Sequence, residues 1–212
     1  MVELKNIACL TFDVDWATEE MLYDVIQLLE KYNCKGTFFA THKSKMMESI
    51  SSSENFEIGL HPNFNPLLLN ESKYSAKEIL IKLKKLYPTA TSIRSHCLIN
   101  GTSISQLYNE LGIKIDSNIY IPFDKITNLK PWYFWNGIKI LPFHWSDYID
   151  FVQGKKNNLL KILEQTKIVM TVAFHPVHVF INTSSIEDYE KFKKNKLYKN
   201  SNTYGVRDIL IS

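Results

Sequence analysis

Residues 7–15, with the sequence IACLTFDVD, run from a block of apolar residues directly into two carboxylates. Strands that are buried on both faces of a parallel sheet appear as continuous apolar runs rather than as alternating patterns. The stretch therefore predicts a buried parallel strand. Asp13 and Asp15 are predicted to lie at the carboxyl end of that strand, where a buried carboxylate needs a partner.

The same alternation of apolar runs and amphipathic helical patterns continues along the chain. The predicted strands are 7–12, 36–40, 56–61, 92–96, 113–116, 138–143 and 168–174, and the predicted helices are 18–29, 43–50, 75–87, 103–111 and 157–166. Such alternation is typical of an α/β protein whose parallel sheet is covered by helices. Six or seven strands favour a barrel over an open sheet, and the aromatic stretch 119–137 is expected to cover one end of it.

Composition sets the class of protein. The chain has 212 residues and a formal net charge of +3, which fits a single domain spanning residues 1–212. Its 25 basic residues include only two arginines, so sequence-specific nucleic-acid binding has little support. No apolar run approaches the ~20 residues that cross a bilayer. Because the first residues do not read as a signal peptide and the three cysteines do not suggest disulfides, we expect a cytoplasmic protein.

Polar residues suited to metal binding and proton transfer recur where the predicted strands end. They are Asp13, Asp15, His61, Arg94, His96, His144, Asp147 and His175. The carboxyl ends of parallel barrel strands converge on one face, which is where active sites lie in such barrels. Two carboxylates and several imidazoles on one rim are typical of a metal-assisted hydrolase.

At these positions the sequence resembles the polysaccharide deacetylase family of carbohydrate esterases. Residues 11–15 resemble the family's T-F-D-D motif in a D-x-D form, and residues 61–65 stand in the place of its H-x-x-x-H motif. Residues 94–96 stand in the place of R-x-P, and residues 174–176 resemble the last motif, which ends a strand in the catalytic histidine. The resemblance implies a distorted (β/α)7-type barrel and a divalent metal. It also implies deacetylation of N-acetylated sugars, as by chitooligosaccharide and peptidoglycan deacetylases.

Two positions depart from the family pattern and put the metal ligands in question. The second histidine of H-x-x-x-H is Asn65 here, and the proline of R-x-P is His96. An imidazole nitrogen is a good ligand for zinc-like ions, whereas an amide oxygen is a poor one. We therefore predict that Asp15, His61 and His96 bind one divalent ion, zinc first, with cobalt, nickel or manganese as alternatives. The other possible set is Asp15, His61 and Asn65, with weak metal binding or none.

The chemistry of amide hydrolysis assigns roles to the remaining rim residues. Asp13 is the candidate general base, and His175 is the candidate general acid for the departing amine. Asp147 is the carboxylate expected to orient His175, and the resemblance places Arg94 against Asp13. Structural roles stay open for several residues: a helix-capping pair for Asp13 and Asp15, a turn residue for His61, a core residue for His96, and either a residue that supports the site or an exposed residue for His178.

Three functions are compatible with these residues. The first is a metal-dependent deacetylase that acts on an N-acyl amino sugar, free or within a glycan, in the cytoplasm. The second is a hydrolase of another C–N amide bond, such as a formyl group or a cyclic amide, possibly without metal; Asn65 supports it. The third is a carbohydrate-binding barrel that has lost turnover. The sequence predicts no membrane span and no nucleic-acid partner, and it does not predict the oligomeric state.

Overall fold

The computed structural model describes residues 8–123, 130–154, 159, 162–163, 169–200 and 203–212. The strands are β1 Ala8–Asp13, β2 Gly36–Ala40, β3 Phe56–Leu60, β4 Ser92–Ile93, β5 Ile115–Asp116, β6 Trp132–Tyr133, β7 Lys139–Ile140, β8 Trp145–Ser146 and β9 Met170–Phe174. The helices are α1 Glu19–Lys31, α2 Lys45–Ile50, α3 Asn65–Leu68, α4 Ala76–Leu86, α5 Thr102–Glu110, α6 Asp147–Gln153, α7 Pro176–Phe180, α8 Ile186–Lys194 and α9 Val206–Ile211. The predicted helix 157–166 and the middle of the aromatic stretch 119–137 lie largely outside the described residues.

The strands form one sheet in the order β6-β7-β5-β4-β3-β2-β1-β9-β8. Every neighbouring pair is parallel except β6 and β7. β1 lies between β2 and β9, and its Phe12 is fully buried, with ring centroids 4.8 Å from Phe38 and 5.8 Å from Phe174. The apolar run that precedes Asp13 is therefore a central parallel strand, as predicted.

Residues 139–146 close the sheet into a barrel because they pair with β5 first and with β9 afterwards. The Leu141 N–H donates to the Asp116 carbonyl at 2.9 Å, and the His144 N–H donates to the Thr171 carbonyl at 2.8 Å. Between these two bonds, Phe143 forms a parallel bridge with Tyr120. Residues 139–146 thus pair with the strands at both ends of the parallel sheet. This pairing confirms the prediction of a distorted (β/α)7-type barrel.

The helices begin where the sequence supplies capping side chains. Thr18 Oγ1 accepts a hydrogen bond from the Met21 N–H at the start of α1, and Ser75 and Glu78 form a reciprocal capping box at the start of α4. α1 then packs an apolar face, including Leu22 and Val25, into the core. Among the described residues, no helix has both the length and the apolar character needed to cross a membrane.

Candidate active site

A cavity of about 510 Å³ lies at the carboxyl ends of the strands. Five of the predicted site residues line it: Asp13, Asp15, His61, His96 and His175. The other two, Arg94 and Asp147, are fully buried behind its wall and bind lining residues. The seven predicted residues are therefore brought to one place in the barrel.

The Asp15 carboxylate contacts two imidazole rings. Its Oδ1 lies 3.1 Å from His61 Nε2 and 2.9 Å from His96 Nδ1. Burial alone would raise the pKa of Asp15, but the hydrogen bonds with His61 and His96 outweigh it and lower the pKa, so the side chain is a carboxylate.

The donor atoms around Asp15 fit a divalent metal. One carboxylate oxygen and two imidazole nitrogens, from Asp15, His61 and His96, lie within 4.8 Å of one another. This mixture of ligands is one that zinc-like ions accept. A second sign is that His61 Nδ1 is buried without a hydrogen-bond partner among the described residues, although Asp13 Oδ1 lies 3.9 Å away.

His96 reaches Asp15 from an unusual turn. β4 ends at Ile93, so His96 does not end a strand as predicted but begins a 3-10 turn, His96–Leu98. Cys97 and Leu98 both have positive φ angles, 55° and 56°, a conformation that non-glycine residues adopt rarely. Such backbone strain persists only where the surrounding structure holds it.

A buried network of hydrogen bonds holds this turn. Asn118 Oδ1 accepts from both the N–H and the hydroxyl of Ser95, each at 2.7 Å. The Asn118 side chain in turn donates to Asp116 Oδ1 at 2.7 Å, and Asn100 donates to Asp116 Oδ2 at 2.8 Å. These hydrogen bonds fix the residues that follow β4 and so direct the His96 ring into the cavity.

Asn65 stands where the resemblance leads one to expect a histidine ligand. It begins α3, and its Nδ2 donates to Cys97 Sγ at 3.4 Å. Asn65 is not among the residues that line the cavity as far as the chain is described. Its amide therefore supports the turn that carries His96.

Arg94 fixes Asp13 in place. Arg94 Nη1 donates to Asp13 Oδ1 at 2.9 Å, while Nη2 and Nε donate to the hydroxyl and carbonyl of Ser117 at 2.9 and 3.2 Å. The guanidinium lies 4.6 Å from the ring centroids of both Phe39 and Phe143. The arginine is therefore held by hydrogen bonds at its edges and by two aromatic rings, and it orients a carboxylate that lines the cavity.

His175 and Asp147 form a buried charged pair. His175 Nδ1 lies 2.7 Å from Asp147 Oδ1, and His175 Nε2 lies 3.5 Å from Asp15 Oδ2. Burial lowers the pKa of His175, but the charge and hydrogen bond of Asp147 outweigh it and raise the pKa to about 9. For Asp147, burial raises the pKa and the charge of His175 outweighs it, so the pKa is lowered. At neutral pH the pair is an imidazolium and a carboxylate.

His144 was also predicted to lie at a strand end, but its position differs from that of the other site residues. It is buried, its Nδ1 lies 3.1 Å from the Ile121 carbonyl, and burial lowers its pKa. His144 is not one of the cavity-lining residues in the described part of the chain. It belongs to the segment 139–146, which closes the barrel.

Five residues that line the cavity were not assigned to the site from the sequence. They are Trp16, Tyr148, His178, Tyr189 and Lys193. Tyr189 and Lys193 come from α8, whose start carried a usable signal: Ser185 caps the helix and is followed by acidic residues in the first turn. Trp16 and Tyr148 carry no comparable signal.

The chain matches a known protein family over most of its length. Residues 10–193 match the WbmS-like polysaccharide deacetylases. The chain belongs to this family. The solved structure of WbmS from Bordetella bronchiseptica, described as a polysaccharide deacetylase involved in O-antigen biosynthesis, is 33% identical and superposes with a TM-score of 0.90. The match covers 98% of this chain and 89% of WbmS.

More distant structures share the barrel. A Mycobacterium smegmatis protein described as a polysaccharide deacetylase is 16% identical, with a TM-score of 0.60, and 96% of each chain is covered. The peptidoglycan deacetylase PdaC from Bacillus subtilis is 15% identical, with a TM-score of 0.50, and 99% of this chain and 92% of PdaC are covered. At these identities the likeness shows the fold. None of the curated proteins compared with the chain matches it.

Proposed function

We propose that the protein is a metal-dependent hydrolase that removes an N-acetyl group from an amino sugar or a sugar precursor. One observation carries this proposal: a cluster of possible metal ligands, Asp15, His61 and His96, shares a cavity with two proton-transfer groups, Asp13 and His175. Each proton-transfer group is held by a buried partner of opposite charge. Membership of a deacetylase family supports an N-acyl glycan as the class of substrate.

We assign Asp15, His61 and His96 as the metal ligands. A divalent ion bound there supplies a Lewis acid for the amide carbonyl and lowers the pKa of a bound water toward ~7. Zinc is the first choice because the donor set contains two imidazole nitrogens. Cobalt, nickel and manganese are the alternatives, since affinities across the first-row ions depend on availability as well as on the ligands.

Asp13 acts as the general base in this proposal. Its Oδ1 is tied to Arg94, and the side chain lines the cavity within 3.9 Å of His61 Nδ1. The carboxylate therefore cannot rotate freely and is positioned next to the proposed ligands. It takes one proton from the attacking water.

His175 acts as the general acid. A pKa raised to about 9 keeps the ring protonated at neutral pH, and Asp147 occupies Nδ1, so Nε2 is the nitrogen that presents its proton to the cavity. This proton goes to the amide nitrogen as the C–N bond breaks. The products are acetic acid, which ionises to acetate in solution, and a free amine on the sugar. Asp13 is left protonated and His175 neutral, and exchange of one proton with solvent at each residue restores the starting state.

The proposal extends to the substrate and to the location of the protein. WbmS is described as involved in O-antigen biosynthesis, so we propose an N-acyl sugar of a surface-polysaccharide precursor as the substrate. The three cysteines Cys9, Cys34 and Cys97 are unpaired, which supports a reducing compartment, and we propose the cytoplasm. One continuous sheet with a single core supports a single catalytic domain across the chain.

The test combines metal analysis with product detection. Protein purified without chelator is analysed for metal, reconstituted with zinc or cobalt, and incubated with a panel of N-acetyl and N-formyl amino sugars, free and nucleotide-linked. We expect one ion per chain and release of acetate that a chelator stops. Release of formate alone would favour the alternative amide hydrolase, and neither metal binding nor release of any acid would contradict the proposal.

A further inference from the structure

Three rings at the end of the cavity next to His175 have no part in the proposed chemistry. They belong to Tyr148, His178 and Tyr189, and all three side chains line the cavity. The ring centroid of His178 lies 5.5 Å from that of His175 and 4.9 Å from that of Tyr189. Tyr148 lies 6.2 Å from His175 on centroids. The three rings therefore form a chain of contacts that begins at the proposed general acid.

His178 has one nitrogen engaged and one without a partner. Its ring is 2% exposed, and Nδ1 lies 3.1 Å from Thr183 Oγ1. Nε2 forms no hydrogen bond with the described residues, although the side chain lines the cavity. Nε2 is not one of the fully buried side-chain atoms that lack a partner in the described part of the chain, so it is accessible from the cavity. A nitrogen of this kind in a cavity wall is suited to a polar group of a ligand.

The charge state of His178 limits which ligand group fits. Burial is the main reason that the pKa of His178 is lowered to about 4, and the neighbouring charge of His175 acts in the same direction against the attraction of Asp147. At neutral pH the imidazole is uncharged, with one donor and one acceptor nitrogen. Such a ring matches a neutral hydroxyl better than a carboxylate or a phosphate.

We propose that His178, Tyr148 and Tyr189 form the subsite for the sugar ring that carries the scissile N-acyl group, and that His178 Nε2 hydrogen-bonds the hydroxyl next to that group. This inference rests on the proposed deacetylase function. His175 donates its proton to the amide nitrogen, so the sugar carbon that carries this nitrogen lies beside His175, with His178 next along the wall. Aromatic rings supply the apolar surface that sugar C–H groups pack against.

Three variants of His178 separate binding from structural effects. His178→Phe keeps a ring but removes both nitrogens. His178→Asn keeps an amide near the Nδ1 position, which faces Thr183, but does not reach the cavity. His178→Gln places an amide near the Nε2 position. Kinetics are measured with the metal-loaded protein on the best N-acetyl amino sugar of the panel and on its deoxy analogue, which lacks the neighbouring hydroxyl.

We expect His178→Phe and His178→Asn to raise KM roughly tenfold with little change in kcat, as for the loss of one hydrogen bond to the ligand. His178→Gln should stay within about threefold of the wild type. The wild type should lose a similar factor on the deoxy analogue, and the Phe and Asn variants should lose no more, because the hydrogen bond is already absent. His42→Phe, at an exposed histidine outside the cavity, is the control and should match the wild type.

Two results would overturn the inference separately from the proposed function. If the wild type hydrolyses the sugar and the His178 variants have unchanged KM, the subsite assignment is wrong while the deacetylase function stands. The same holds if the Phe and Asn variants lose a further tenfold on the deoxy analogue, because they then act through another group. If the metal-loaded wild type hydrolyses nothing in the panel, the proposed function itself fails. Thermal unfolding and metal content identify any variant that has lost its fold, and the remaining two variants then decide.

Discussion

Asp147 binds His175 through two separate atoms: the ring Nδ1 and the backbone N–H of His175 each lie 2.7 Å from a different Asp147 oxygen. The second bond fixes the backbone at the end of β9, and the first fixes the rotation of the ring. Because Asp147 is fully buried, water does not compete for these oxygens. The same carboxylate therefore sets both the direction and the charge of the proposed general acid.

We expect Asp147→Asn to move the basic limb of the pH–rate profile to lower pH. An amide keeps the shape of the carboxylate but removes the charge, so the pKa of His175 should fall from about 9 toward or below the ordinary value of about 6.5. Activity at neutral pH should fall as the general acid loses its proton. The measurement is kcat/KM from pH 5 to pH 10, with Asp24→Asn at a partly exposed ion pair outside the cavity as the control. An unchanged basic limb would remove His175 from this role.

Asp13→Asn should abolish turnover while metal binding stays largely intact. An amide cannot accept a proton from water, and the loss of a general base costs about 10²–10⁴ in rate. The three proposed ligand side chains are untouched by the change. Elemental analysis and acetate release on the same preparation check this. If metal and activity disappear together, Asp13 is a ligand and the roles of the two aspartates must be exchanged.

His96→Ala and Asn65→Ala should differ in metal affinity. His96 contributes an imidazole nitrogen to the donor cluster, whereas Asn65 donates to Cys97 at the edge of the turn. Loss of a residue that only supports a ligand typically costs 10–100-fold in affinity, so the loss of His96 itself should cost at least on the order of a hundredfold. Asn65→Ala should cost less. Calorimetric titration of zinc into the two variants compares them, and the reverse order would assign the third ligand to Asn65.

Arg94→Lys should destabilise the barrel strongly. The buried guanidinium makes bonds in three directions, and a lysine cannot reproduce its planar fork. Leaving Asp13 poorly paired in a buried site should cost about 3–5 kcal/mol in the free energy of unfolding. Arg207→Lys, in a partly exposed pair with Asp24, is the matched control and should cost less than about 1 kcal/mol. Urea denaturation measures both, and equal costs would show that the buried contacts of Arg94 contribute little.

Stability without metal should fall between pH 6.5 and pH 4, and His178 should account for part of the fall. The folded pKa of His178 is about 4, below the value of about 6.5 expected in the unfolded chain. In this window the unfolded chain binds a proton that the folded protein does not, so stability decreases as pH falls. His178→Gln cannot titrate and should reduce the slope. The slope should not vanish, because burial also lowers the pKa of His144. Urea denaturation of chelator-treated protein at pH 4.5 and pH 7 tests this, and identical slopes would contradict it.

Much of the fold could be predicted because the evidence for it is local. The run that ends at Asp13 is apolar throughout, and Ser75 with Glu78 marks a helix start by side-chain chemistry alone. The way in which residues 139–146 close the barrel could not be predicted from local evidence. Residues 139–146 resemble one ordinary strand, and only the curvature of the whole sheet determines that their first half pairs with β5 and their second half with β9.

The candidate site shows the same division. Residue types at predicted strand ends identified Asp15 and His61, whose positions follow directly from β1 and β3. The place of His96 depends instead on the left-handed residues Cys97 and Leu98, neither of which is a type that signals such a turn. The place of His178 depends on the short helix α7, which is not among the helices predicted from the sequence.

The pairing of β1 with β9 has a consequence for the order of events during synthesis. Thr11 Oγ1 donates to the Val172 carbonyl at 2.7 Å, across 161 positions of the chain. At 5–20 residues per second, a ribosome needs on the order of ten seconds to travel that far. The aspartates at the end of β1, Asp13 and Asp15, are therefore among the first functional groups to be made, and their surroundings are among the last to be completed. Asp15 gains its complete surroundings, which include His175, only after β9 has emerged. The proposed ion site is therefore completed in the nearly finished chain rather than in the nascent one.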